Sequence, residues 1–427
     1  MIQDDYRAAI DIGTTKVCTV VGKRHADGRV QIAGIGVAPC NGLRRGLVSD
    51  AAATTEAVRA SVAAASEAAG MPIRRAYVGL TGSHVESTNR WNRVERPSEV
   101  KTVTQDDLAF AIESASGVRV ADDRVLLHVI PRCYALDGIH GVRNPLGMHA
   151  RELHIQSHVI TGVVEHIEAL RSAVAAAGVA PAKAIVGPVG CADAVLAADE
   201  RDGGVVLADV GGGTTDVAVF YDGAIVHTAV IPVGGYQFTN DLAVAFAADY
   251  DEAEHLKVKH GTATPELVGM TEEIAVAISL SAEPLIVTRR EVGQLLNERV
   301  QELFRMIKLR LDVPHVEELS INRMVFTGGG AKLEGFQALA KYVFQCQVRI
   351  AAPRGVSGLP DEYRDPMYST AVGTMLWGMR NLSRESHVAS PGLAPAGTSQ
   401  GLLRGLRGRM SAIRRTAGKE RAPVAAP

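Results

Sequence analysis

Near the middle of the chain, Asp209-Val210-Gly211-Gly212-Gly213-Thr214-Thr215-Asp216 sets two acids, three glycines and two hydroxyls between two apolar runs. Glycines carry no Cβ, so their backbone N–H groups can converge on an anion, and the threonines add hydroxyl donors and acceptors. Read alone, the stretch fits either a phosphate cradle or a plain hairpin turn. A second copy narrows the choice. Asp11-Ile12-Gly13-Thr14-Thr15-Lys16 follows Ala8-Ala9-Ile10 and precedes Val17-Cys18-Thr19-Val20-Val21-Gly22. Both stretches read apolar strand, Asp, apolar residue, Gly, Thr-Thr and second strand. An internal duplication is therefore expected, with two hairpin tips facing one ligand from opposite sides.

A third glycine turn, Thr327-Gly328-Gly329-Gly330-Ala331-Lys332, ends a later apolar run. Two cradling turns, two acids at their starts and this later turn point to a nucleoside triphosphate clasped in an interdomain cleft. Asp11 and Asp209 would hold a hydrated Mg²⁺ through water, because Mg²⁺ keeps most of its water shell. Thr14, Thr15, Thr214 and Thr215, with the backbone of Gly13, Gly211, Gly212 and Gly213, would hold the phosphates. Lys16 either adds charge there or is simply solvated. No GxxxxGK[ST] loop is present, and no residue is assigned a catalytic role.

The surrounding pattern supplies strands and crossover helices. A third apolar run over 30–37 completes a meander, and Ser49-Asp50 offers an N-cap for an Ala-rich helix reaching residue 69, stopped by Gly70 and Pro72. A strand over 76–82 makes the order βββαβ, which predicts a mixed sheet covered on both faces. From 83 to 158 the chain loses alanine and gains charge, reading as an inserted α+β subdomain with a capped helix from Thr104. The α/β rhythm then resumes with a helix over 165–177, a strand over 182–186 and a helix over 192–198. After the second loop come a strand over 224–233, a turn at Gly234-Gly235, a helix capped by Thr239, a helical region over 251–257 and a long helix over 289–310.

Composition excludes several classes. The 427 residues are 47% hydrophobic and 22% charged with a formal net charge of -2, which predicts no nucleic-acid partner. The five cysteines, Cys18, Cys40, Cys133, Cys191 and Cys346, lack CxxC spacing and suit reduced thiols in a cytoplasmic setting. The first residues lack the basic flank and apolar core of a secretory signal, and no uninterrupted apolar run reaches 18 residues. Beyond residue 382 a Ser/Pro/Gly/Ala-rich linker leads to a tail in which Leu402, Leu403, Leu406, Met410 and Ile413 recur at helical spacing. Arg404, Arg407, Arg414 and Arg415 lie mostly on other faces. That tail reads as a basic amphipathic helix for an anionic membrane surface, or as a disordered basic tail, which Gly401, Gly405 and Gly408 favour. As a helix, one copy would bind weakly and several linked copies stably.

Together these loops resemble the actin, Hsp70 and sugar-kinase ATPase superfamily, whose two phosphate loops and adenosine loop match residues 11–16, 209–215 and 327–332. Within it the chain resembles the FtsA family of bacterial cell-division proteins over about residues 7–380. His128-Val129-Ile130-Pro131, Asn144-Pro145-Leu146-Gly147-Met148, the run at 195–201, Ile231-Pro232-Val233-Gly234-Gly235 and Thr239-Asn240-Asp241-Leu242 carry that likeness. The resemblance implies an α/β, actin-like fold of ribonuclease H-like duplicated lobes with the insert. Its expected divisions are a first lobe over 1–82 and 159–198 with a returning helix over 362–380, and the insert over 83–158. The second lobe spans 199–234 and 309–361, with a smaller subdomain over 235–308. A linker over 381–399 and a tail over 400–427 follow.

By the same resemblance ATP and Mg²⁺ are the ligands. Glu254 and Lys257, one helical turn apart, would grip the ribose and adenine side unless they are an ordinary surface pair. Gly235 would lie beside the nucleotide, Gly328, Gly329 and Gly330 would let the adenine lie on bare backbone, and Lys332 would join them. Vigorous ATPases of the superfamily place a glutamate before a proline upstream of the second loop. Here Gly187 precedes Pro188. Without that carboxylate ~10² to 10⁴-fold of general-base assistance is lacking, so slow hydrolysis is expected. The implied function is a protein that polymerises and holds the tubulin-like FtsZ to the cytoplasmic face of the cell membrane at the division site. It would also recruit later division proteins. A pilus-machine ATPase of actin type and a sugar-kinase-type phosphotransferase are the alternatives. The second would need a catalytic Asp and an acceptor pocket, for which the sequence offers no convincing candidate.

Overall fold

The computed structural model describes residues 5–95, 101–278 and 283–381. The tail residues Leu402, Leu403, Arg404, Leu406, Arg407, Met410, Ile413, Arg414 and Arg415 lie outside the described residues.

Each loop of the sequence repeat sits in the same kind of sheet. Tyr6–Ile12, Lys16–Arg24 and Val30–Pro39 form an antiparallel meander. Arg75–Leu80 then runs parallel to the first of these, and Ala180–Val186 runs parallel to Arg75–Leu80. In the second half Val205–Val210, Thr215–Tyr221 and Ala224–Ile231 make the meander. Arg323–Thr327 and Gln347–Ile350 extend it in parallel. The two five-stranded sheets thus share one strand order, so the duplication read from two short loops extends to whole sheets. Corresponding registers match as well. Asp11 pairs with Gly79 and Asp209 with Thr327 across the parallel neighbours. Within the hairpins Asp11 faces Cys18, whereas Asp209 faces Asp216. At that one position the repeat exchanges a thiol for a carboxylate.

Strand residues such as Ile10, Val17, Val20, Leu207 and Val217 are wholly buried, as expected where helices cover both faces. The helix Ala51–Ala69 begins where the Asp50 carboxylate accepts the N–H of Ala53 at 2.9 Å, and ends at Gly70 in the left-handed region, φ 64°. It lies so close to Val30–Pro39 that a Cβ on Gly34 would come 2.6 Å from Ala65 O.

The insert is a four-stranded antiparallel sheet in the order Ile139–Val142, Arg124–Leu136, Leu153–Val163, Glu86–Val94. The helix Gln105–Ser116, started by a Thr104–Asp107 capping box, closes a core with Val94, Ala111, Leu136, Leu153 and Ile155. This sheet docks on the second five-stranded sheet through polar contacts. Ser87 Oγ donates to Thr228 O at 3.0 Å, and Asn89 Nδ2 donates to Val226 O at 2.9 Å. His158 bridges Asn89 Oδ1 at 2.8 Å and Thr228 Oγ1 at 3.0 Å.

Two local expectations change. The helix expected over 192–198 is Gly187–Val195, because Pro188 fits a first helical turn, where its missing N–H leaves no bond unmade. Thr239 is not a cap: it sits inside Gly235–Phe246, whose start is closed by Gly234 N donating to Gln237 Oε1 at 2.8 Å. The cysteines are free thiols, with Cys18, Cys40 and Cys191 buried and the other two half-buried. Among the described residues no helix is long and apolar enough to cross a membrane.

Candidate functional site

The two hairpin turns close in the same way. Gly13 N donates to Lys16 O, and Gly211 N donates to Thr214 O, both at 2.9 Å. Their tips meet across a cleft of about 620 Å³, a volume suited to a small-molecule ligand. Glycine is required at this meeting: a Cβ on Gly212 would come 2.7 Å from Thr15 Cγ2, and one on Gly213 would strike Thr14 Oγ1. The third turn enters the same space. Gly328, at φ 85°, passes beside Val210 O and the Asp209 carboxylate, where a Cβ would collide with both.

Three aspartates line this cleft. Burial pushes the Asp11 carboxyl up to about 6, against the pull of Lys16 and with a further push from Asp209. Burial also raises Asp209, opposed by the Thr370 hydroxyl, which donates to Asp209 Oδ2, and by Lys16. Asp216 is raised well above the usual carboxylate range by burial, against a hydrogen bond from Thr81 Oγ1 to its Oδ1. Thr81 Oγ1 also lies 3.3 Å from Thr214 Oγ1. The Lys16 ammonium rests 5.4 Å from the ring centroid of Tyr368. Among the described residues no three His, Cys, Asp or Glu side chains are placed to ligate a metal directly, so these buried acids, served by one nearby lysine, suit a cation only through its water shell.

At the other end of the cleft, Lys257 Nζ reaches Glu254 Oε2 at 2.6 Å and Thr239 Oγ1 at 2.8 Å. The Thr239 hydroxyl, fully buried, also lies 3.1 Å from Gly235 O and within reach of Glu254. The lysine side chain is 15% exposed and that of Glu254 40%, so the lysine is drawn into a polar cluster whose acid still meets solvent. Lys332 is paired with Asp365. The rings of Tyr236 and Tyr250 stack at 5.2 Å between centroids, and both line the cleft.

The structure therefore gathers Asp11, Gly13, Thr14, Thr15, Lys16, Asp209, Gly211, Gly212, Gly213, Thr214, Gly235, Glu254, Lys257, Gly328, Gly329, Gly330 and Lys332 around one cleft. Thr215 is the exception. Strand alternation turns its side chain away, and its buried hydroxyl donates to Val233 O at 2.8 Å. Thr81, Asp216, Met367 and Thr370 also line the cleft and were not expected as site residues. Of these, Asp216 alone carried a signal in the sequence, as the acid closing the second loop.

A family model described as cell division protein FtsA matches residues 206–373, and one described as an SHS2 domain inserted in FtsA matches residues 82–161. The chain is 36% identical over 375 residues to cell division protein FtsA of Pseudomonas aeruginosa, covering 88% of this chain and 89% of that protein. It is 35% identical over 386 residues to the FtsA of Escherichia coli K12, covering 89% and 90%. Among solved structures, a PilM-PilN type IV pilus biogenesis complex aligns with TM-score 0.61 at 17% identity, covering 87% of this chain and 98% of that one. MreB5 of Spiroplasma citri, solved bound to ADP, aligns with TM-score 0.53 at 16% identity, covering 90% and 99%. At such identities the likeness is one of fold, and that fold is actin-like.

Proposed function

The chain belongs to the FtsA family of cell division proteins, and on that premise we propose that it is an ATP-dependent adaptor of the division machinery. In this reading it binds Mg-ATP between two actin-like lobes and polymerises. Its tail would hold FtsZ to the anionic cytoplasmic face of the cell membrane, and the assembly would recruit later division proteins. The observation that carries the reading is the facing of the two hairpin tips, Thr14 and Thr15 against Gly212 and Gly213, within one cleft that also holds the Glu254–Lys257 cluster.

Each part of the cleft has a task in this account. The backbone N–H groups and hydroxyls of the two tips hold phosphate oxygens from opposite sides, so a triphosphate draws the sheets together. Asp11 and Asp209 would hold Mg²⁺ through its waters, and the ion would neutralise charge on the phosphate oxygens. Lys257 and Glu254 orient the ribose, and the glycines of the third turn let the base approach the backbone. No carboxylate projects from residue 187, so the cleft senses the terminal phosphate more than it drives its hydrolysis. The nucleotide is then an assembly switch.

Co-sedimentation with vesicles containing anionic lipid tests the reading. The full chain with Mg-ATP should bring purified FtsZ down with the vesicles, and deletion of residues 402–419 should release both proteins. Sedimentation unchanged by that deletion would remove the tail from its role, and failure to carry FtsZ would overturn the tether.

A further inference from the structure

Two helices begin at the cleft and end together away from it. Gly187, the first residue of Gly187–Val195, lines the cleft beside Asp216. Thr370, in the first turn of the C-terminal helix Ser369–Arg380, donates to the Asp209 carboxylate. Between their ends the helices touch backbone to backbone. A Cβ on Gly373 would lie 2.9 Å from Cys191 Cα, and one on Gly190 would lie 3.1 Å from Thr374 Cα. Contact this close leaves no room for one helix to slide while the other stays. At the far end Arg380, the last helical residue, pairs with Asp193. The Asp193 side chain is 3% exposed and is also held by Arg201 Nη2 at 2.9 Å.

We propose that this helix pair couples the cleft to the final turn of Ser369–Arg380, with Thr370 reading the ligand at one end and the Asp193–Arg380 pair holding the helix at the other. The proposal rests on the reading of the cleft as a Mg-ATP site. Thr370 is bonded to a carboxylate that the cation of a bound nucleotide must also engage, so its hydrogen bond differs between filled and empty states. A ligand shifts a conformation by the difference in its contacts with the two states, and this bond supplies one. The tight glycine contact carries the shift along both helices. The clasp then fixes how firmly the final turn is held. Linkage requires the converse, that whatever loosens the final turn alters nucleotide affinity by the same factor.

Arg380 is the place to cut this connection, because Asp193 keeps Arg201 as partner when Arg380 is removed and so is not left as an uncompensated buried charge. The test is amide hydrogen exchange on the full chain, with ATP binding measured in parallel by titration. Saturating Mg-ATP should slow exchange in the final turn of Ser369–Arg380 by on the order of 5-fold or more. In Arg380→Ala, ATP should still bind and the first turn should still respond, while the response of the final turn is lost and Arg380→Lys recovers part of it. A final turn that ignores bound nucleotide, or that responds fully in Arg380→Ala, would overturn the coupling alone. So would faster exchange in Arg380→Ala by equal factors with and without nucleotide, the mark of a purely structural residue. Absence of ATP binding would overturn the Mg-ATP reading and the coupling together.

Discussion

The carboxylate of Asp216 occupies the space into which a side chain at Gly187 would project: a Cβ on Gly187 would lie 2.9 Å from Asp216 Oδ2. The Thr81 hydroxyl holds Asp216 in that position. The glutamate that vigorous relatives carry at this point is therefore missing from the sequence, and a side chain placed there would have to displace the Asp216 carboxylate. Restoring it by Gly187→Glu alone should not accelerate ATP turnover, and crowding Asp216 should cost about 1–3 kcal/mol of stability. A phosphate-release assay with thermal denaturation checks both, and a rise of about 10²-fold in turnover would contradict the account.

Thr239 ties the helices Gly235–Phe246 and Tyr250–His260 together at the Glu254–Lys257 end of the cleft. Its buried hydroxyl contacts Lys257 Nζ, Glu254 and Gly235 O. Thr239→Val keeps the shape and removes those bonds, leaving buried polar groups short of a partner at about 1–3 kcal/mol. ATP affinity, read by equilibrium titration, should fall about tenfold, since 1.4 kcal/mol corresponds to that factor. Thr239→Ser should stay close to wild type. Equal affinity in the valine variant would remove the cluster from ligand binding.

Acid should unfold the protein through histidines buried as neutral rings. Burial lowers His158 and His128 to about 3 each, with charge from His227, Arg132 and His315 adding to the effect at His158, and from Lys183 and His158 at His128. Between about 3 and the ordinary 6.5 the unfolded chain takes up protons that the folded chain refuses. Stability is thus fully present above pH 6.5 and is lost as the pH falls. Each ring contributes a slope of about 1.4 kcal/mol per pH unit. Urea denaturation at pH 7.5 and 5.5 should show this loss, and His158→Gln should remove about one proton's share of it. An unchanged pH slope in that variant would refute the assignment.

Most of the cleft was legible because the loops are local motifs: each Asp, Gly and Thr-Thr run lies within one hairpin and repeats in the other. Thr81 and Thr370 were illegible for the opposite reason. They reach Asp216 and Asp209 across sequence separations of 135 and 161 residues, which only the packed sheets bring together. Thr215 falls outside the cleft because it begins the strand Thr215–Tyr221, in which its neighbour Asp216 takes the cleft side and alternation sends Thr215 to the other face. Thr239 looked like a cap because Gly234-Gly235 looked like a turn, yet the helix begins on Gly235 itself. The start of Gly187–Val195 did have a readable sign in Pro188, which suits a first helical turn.

Calorimetric titration of Mg-ATP into the full chain tests the central claim, that the two facing hairpin tips form one Mg-nucleotide clasp. The account predicts saturable one-to-one binding that is weakened when Mg²⁺ is withheld. Asp11→Asn and Asp209→Asn should each weaken it at least tenfold, the loss expected when a charge-assisted contact of about 1.5–3 kcal/mol is removed. Absence of binding, or binding indifferent to Mg²⁺ and to both substitutions, would contradict it.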